Sequence, residues 1–93
     1  MAQLEVDLVD TEGTIWSGAA RQVSAPASDG DIGILVGHTP VLSVLRHGEV
    51  RVTEPGGAVH RWAVEGGFLS VDDDQVTVVV DAAEATSTTH PAR

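Results

Sequence analysis

Residues 28–52 read SDGDIGILVGHTPVLSVLRHGEVRV, and the two halves of this stretch behave differently. In the second half, Val41 to Leu45 is a short apolar run, Arg46-His47-Gly48 is a turn, and Glu49-Val50-Arg51-Val52-Thr53-Glu54 alternates cleanly between polar and apolar residues. That period of two is the mark of a half-buried β-strand, because successive side chains point to opposite faces. A slip of one residue would turn every apolar side chain to water, so the alternation also fixes the register. The first half is less regular. Asp29 and Asp31 lie two apart, glycines punctuate the segment, a short apolar piece Ile32-Gly33-Ile34-Leu35 follows, and His38-Thr39-Pro40 closes it. It reads as a loop after Pro26 that returns into the next strand, with Pro40 setting the geometry of the return.

The strand signal continues outward in both directions. Leu4, Val6 and Leu8 alternate with Glu5 and Asp7, and Thr11-Glu12-Gly13 turns the chain. Ile15 and Trp16 open a second strand that runs past Ser17-Gly18 to Ala25. Downstream, Pro55-Gly56-Gly57, Gly66-Gly67 and Asp72-Asp73-Asp74 separate Ala58 to Glu65, Phe68 to Val71 and Gln75 to Val80. Short strands at this spacing, with turn chemistry between them, predict an all-β fold: a flattened antiparallel β-sandwich of about 8–10 strands. Ala82-Ala83-Glu84-Ala85 could begin a helix. The sandwich is expected over residues 1–84, with 85–93 as a polar, disordered tail.

Ninety-three residues make one domain, long enough for one modest core. With one Phe, two Trp and no Tyr, that core must be built from Val, Leu, Ile and Ala. Fourteen acidic residues stand against five arginines, giving a net charge of −9, and there is no lysine. Nucleic-acid binding and polybasic membrane attachment are therefore excluded as expectations, since both need clustered positive charge. The absence of cysteine removes disulfides and thiolate metal sites. The start alternates instead of carrying a signal peptide, and no apolar run nears the ~18 residues of a membrane span. A soluble, cytoplasmic domain is expected.

Specific chemistries fit poorly. Phosphate loops of the usual pattern need a lysine or a glycine fingerprint feeding a helix, whereas Gly30-Asp31-Ile32-Gly33 leads into strand-like residues. As a calcium loop, Asp29 and Asp31 could fill positions one and three, but Gly33 and Pro40 would then occupy the fifth and the twelfth, where oxygen ligands are required. Asp72-Asp73-Asp74 reads as a solvated hairpin turn. His38, His47, His60 and His90 lack the close spacing of structural zinc ligands. No nucleophile elbow or convincing acid–base pair is visible. Trp16 and Trp62 could form a sugar platform, although tryptophans in strands more often sit in a core or an interface.

With these readings set aside, the opening stretch resembles the signature of the epsilon subunit of rotary, F-type ATP synthases, called delta in mitochondria. The matching elements are Gly30-Asp31-Ile32-Gly33-Ile34, His38-Thr39-Pro40, Val41-Leu42 and Gly48-Glu49-Val50-Arg51-Val52. LEVDLVDTEGTIWSG and EGGFLSVDDDQVTVVVDAAE extend the resemblance over residues 3 to 84. The resemblance implies the family's N-terminal β-sandwich, without the two-helix hairpin that usually follows and can brake ATP hydrolysis. It implies a non-catalytic rotor subunit of the central stalk, coupling proton transport to ATP synthesis, with no catalytic, cofactor or metal residues. One face would pack on the gamma subunit, by residues the sequence does not identify. One end would rest on the polar loops of the c-ring, through Asp29, Gly30, Asp31, Ile32, Gly33, His38, Thr39 and Pro40. The subunit would be peripheral, on the cytoplasmic face of the cell membrane, and not inserted in it. A free-standing sandwich that binds a protein or a glycan is the alternative; it calls for an exposed aromatic patch.

Overall fold

A computed structural model of the chain describes residues 3–89. Ten strands follow one another: β1 (Leu4–Asp10), β2 (Gly13–Ala20), β3 (Gln22–Ala27), β4 (Gly30–Leu35), β5 (Val41–Leu45), β6 (Gly48–Thr53), β7 (Val59–Val64), β8 (Gly67–Asp72), β9 (Gln75–Val80) and β10 (Ala83–Thr89). Hydrogen bonding runs unbroken in the order β10-β7-β6-β3-β5-β8-β9-β1-β2, with β4 on the other edge of β3. This sheet folds over on itself, so that β4-β3-β6-β7-β10 cover β5-β8-β9-β1-β2.

The fold-over is made by three bent strands. Gly48 pairs with Val64 and Leu45 with Gly67, so β5–β6 and β7–β8 keep one register straight through the bend. Gly67 pairs with Val80 and Val64 with Ala83, which carries the same register into β9–β10. Each strand spends two residues at the corner, Arg46-His47, Glu65-Gly66 and Asp81-Ala82. There the Asp81 amide donates to the Gly66 carbonyl at 3.1 Å and the Glu65 amide to the Ala82 carbonyl at 3.3 Å. Gly66 and Gly67 turn the corner at φ +140° and +141°, a region closed to residues with a side chain. Strands that switch sheets at such a corner are a recognised way of building two-layer β folds.

Alternation places the core as expected. Leu4, Val6, Leu8, Leu69, Val71, Val76 and Val78 from one layer meet Val23, Val50, Val52, Trp62 and Val64 from the other in one buried cluster. Trp62 packs against Trp16 at 6.2 Å between ring centroids and against His60 at 5.9 Å. Because Trp62 is 5% exposed, Trp62→Ala is expected to cost about 3–5 kcal/mol in urea denaturation. A loss below about 1 kcal/mol would show that the cavity collapses.

Several sequence expectations are corrected. The strand expected from Ile15 to Ala25 breaks at Arg21, where the chain crosses between layers and the Arg21 amide donates to the Thr53 carbonyl at 2.8 Å. Most of the expected loop after Pro26 is strand. Pro26 lies inside β3, and Gly30–Leu35 forms β4, paired with β3 from Ala27↔Gly30 to Gln22↔Leu35. The glycines and Asp31 hide this strand because they disfavour β structure locally; the free edge of β3 and the inward Ile34 outweigh them. One pairing, β1 with β9, is parallel, while the others are antiparallel. The expected helix start at Ala82–Ala85 is instead the entry to β10, since four residues of helix propensity amount to little against a ladder on β7. The expected tail from 85 onward thus runs through β10 to Thr89, and residues 90–93, with His90, lie outside the described residues.

Candidate functional site

The eight residues expected to share one surface fall into two groups. Asp31 pairs across from Pro26 and lies 4.0 Å from Arg46, both side chains exposed, beside the corner where Leu45 meets Gly67. Asp29 and Gly30 are at the adjoining β3–β4 turn, and Ile32 and Gly33 follow along β4. His38, Thr39 and Pro40 lie at the far end of the sandwich. There the Gly37 amide donates to the Asp74 carboxylate at 2.8 Å, and an open recess of about 650 Å³ is lined by Gly37–Pro40 and Asp72–Asp74. Six-residue β8, from Gly67 to Asp72, separates the two ends by about 17 Å. The expectation that Asp31 and His38 share one end is therefore corrected; of the two, Asp31 is exposed and His38 half-buried.

Local chemistry explains the far end. Asp73 and Asp74 have φ of 52° and 62°, the two left-handed residues of a two-residue hairpin turn, a position that Asp tolerates well. His38 is half-buried; its Nδ1 lies 2.6 Å from the Thr39 carbonyl oxygen and its amide donates to the Leu35 carbonyl at 3.1 Å. This is a loop residue held by backbone, and among the described residues no cluster of His, Asp and Glu could hold a metal ion.

The surface that sequence reading missed is apolar. Val44, Phe68 and Val79 form one cross-strand row on the outer face of β5-β8-β9, since Val44 pairs with Phe68 and Phe68 with Val79. They are 54%, 51% and 42% exposed, and Leu42, two residues before Val44 on the same face, is 72% exposed. Alternation carried part of the signal: β5 is apolar at the outward positions Leu42 and Val44, as strands covered on two sides are, while on β9 Val79 is the one apolar residue beside outward Gln75 and Thr77. The alternative of a glycan platform loses its basis, because Trp16 and Trp62 are turned onto one another and only Phe68 offers an exposed ring among the described aromatic residues.

The profile of the β-sandwich domain of the ATP synthase delta/epsilon chain matches residues 3–86. The ATP synthase epsilon chain of Micrococcus luteus is 54% identical over 84 residues, covering 89% of this chain and 91% of that one. That of Chromohalobacter salexigens is 46% identical over 83 residues, which is 59% of its own length. A chain in the cryo-EM structure of the Euglena gracilis mitochondrial ATP synthase, comprising OSCP, F1 and c-ring, superposes with a TM-score of 0.86 at 24% identity, over 91% of this chain and 54% of that one. This chain thus spans nearly all of one relative and little more than half of the others. No helix among the described residues is long and apolar enough to cross a membrane. With match and topology in agreement over the whole sandwich, the chain belongs to the ATP synthase delta/epsilon β-sandwich family, whose epsilon chain is a non-catalytic subunit of that enzyme complex.

Proposed function

We propose that the chain is a rotor subunit of the central stalk that links the gamma subunit to the c-ring, so that rotation couples proton transport to ATP synthesis at the cytoplasmic face of the cell membrane. The observation that carries this reading is the exposed row Val44–Phe68–Val79 with Leu42. A monomer gains nothing from leaving such a row in water, and contiguous exposed apolar residues mark protein docking surfaces. The gamma subunit is assigned to this face. Gamma titrated calorimetrically with the purified chain should bind, and membranes stripped of their own epsilon should regain coupled proton pumping on adding it. Absence of gamma binding would end the reading.

The c-ring contact is assigned to the corner end alone, around Asp29, Gly30 and Asp31, because a flat end cannot also include His38-Thr39-Pro40. The Asp31–Arg46 pair within the chain is long and exposed, so the carboxylate stays available to a basic c-ring side chain, and one exposed ion pair of that kind is worth about 0–1 kcal/mol. Asp31→Ala should therefore weaken association with the c-ring only about two- to fivefold at low salt, and less as salt rises. Cross-linking yield from residue 31 to a c-ring loop measures this, and an affinity independent of both the substitution and salt would remove the corner from the interface.

A further inference from the structure

The outer face of the opposite layer carries a basic track on a strongly acidic chain. Arg51 and Arg61 lie directly opposite each other on β6 and β7. Ser24 faces Arg51 from β3, and Ser87 faces Arg61 from β10, so one row across four strands reads Ser24–Arg51–Arg61–Ser87. Like charges directly across a ladder repel, and a sheet gains nothing from them unless something negative sits between. Arg51 has one carboxylate neighbour, Glu49, at 3.4 Å. Arg61 has none among the described residues of a chain with 14 acids; its guanidinium donates only to the hydroxyls of Thr89 at 2.9 Å and Ser87 at 3.4 Å.

These groups surround a recess of about 190 Å³ lined by Gln22, Ser24, Arg51, Thr53, Val59 and Arg61. Its polar lining is made of guanidinium, amide and hydroxyl groups, with no carboxylate. Arg51 also lines a second recess, of about 320 Å³, where Arg46 and His47 at the corner stand beside the carboxylates of Asp31 and Glu49. We propose that the Arg51–Arg61 recess is a subsite for a phosphate-class oxyanion, bound between the two guanidinium forks and steadied by Ser24. Both guanidinium groups line this one recess; planar forks of this kind suit a tetrahedral anion with several acceptor oxygens, and charge-assisted bonds are the strong ones. The free ion and the end of a polyphosphate share this chemistry; the continuation toward Arg46 offers the second a further cation but also the carboxylates of Asp31 and Glu49, so the free ion is the expected occupant.

The test follows the arginine Nε–H signals of the full chain by NMR. Inorganic phosphate and inorganic tripolyphosphate are titrated separately at constant ionic strength, balanced with chloride. Saturable shifts are expected at Arg51 and Arg61 and not at Arg21, which lies outside both recesses. Arg61→Gln and Arg51→Gln, each checked for retained amide dispersion, should each weaken binding at least about tenfold, while Arg21→Gln should leave it unchanged. Tripolyphosphate binding at least about tenfold tighter, with Arg46 also shifting, would assign the site to a polyphosphate group; equal affinities would assign it to the free ion. A linear response matching chloride, or Arg61→Gln titrating like the parent chain, would overturn the proposal.

Discussion

Replacing Gly67 with alanine is expected to lower the melting temperature by at least about 8 °C, the largest loss foreseen for any single methyl group in this chain. Two costs coincide at this position. Its φ of +141° is a region that residues with a side chain rarely adopt, worth about 1–3 kcal/mol. A Cβ there would also overlap the Val79 carbonyl oxygen and come within 2.8 Å of the Val80 Cα, so backbone instead of a flexible side chain must move, at about another 1–3 kcal/mol. Together they remove about 2–6 kcal/mol from a total of about 5–15. Gly56→Ala is the matched control: a Cβ there meets nothing within 4 Å, and a change within about 0.5 kcal/mol is expected. Thermal unfolding followed by circular dichroism decides the matter, and a shift under about 3 °C for Gly67→Ala would show that the corner yields without strain. Because β5, β8 and β9 all emerge from that corner, a variant that survives should also misplace Phe68, its immediate neighbour.

How much of this was legible beforehand differs between the strands and the corner. The inward set Leu4, Val6, Leu8 and the alternation of Glu49–Thr53 announce their faces in the sequence, and the burial pattern follows them residue by residue. β4 was not legible, because Asp31 and Gly33 argue locally for a loop and only pairing with β3 makes them strand. Nor was the position of Asp31 relative to His38. A separation of seven residues leaves their placement open, and it is the intervening β4 and the crossing from one layer to the other that carry them to different ends. The Gly66-Gly67 break was visible as punctuation, but its meaning as a bend shared by three strands depends on registers that no single segment encodes. The apolar row was half legible: an outward Val or Phe is visible once a strand is known, whereas its alignment with neighbours on two other strands is a property of the fold.

That row supplies the second large effect. Phe68→Asp is expected to leave stability nearly unchanged, since the side chain is 51% exposed and contributes little to the core. Its effect on gamma binding should be severe. Burying the exposed half of the Phe68 ring at an interface contributes about 0.8–1.5 kcal/mol, and a carboxylate put in its place would be desolvated without a partner, adding about 1 kcal/mol or more. The sum corresponds to a loss of affinity of at least about 20-fold. Val44→Ala, which only trims the same row, should cost a few-fold. Leu35→Asp provides the opposing control, because Leu35 is 58% exposed but lies on β4 in the other layer; gamma affinity should not change. Calorimetric titration of gamma with the three variants gives the comparison, alongside proton pumping in membranes reconstituted with each. If Leu35→Asp abolishes binding and Phe68→Asp does not, gamma sits on the β4-β3-β6-β7-β10 face and the assignment made here is reversed. If Phe68→Asp binds gamma weakly yet still supports full pumping, the row does not transmit torque. A stiff two-layer body can pass torque only through a face that does not slip, and several modest apolar contacts in register across three strands provide that where single exposed ion pairs do not.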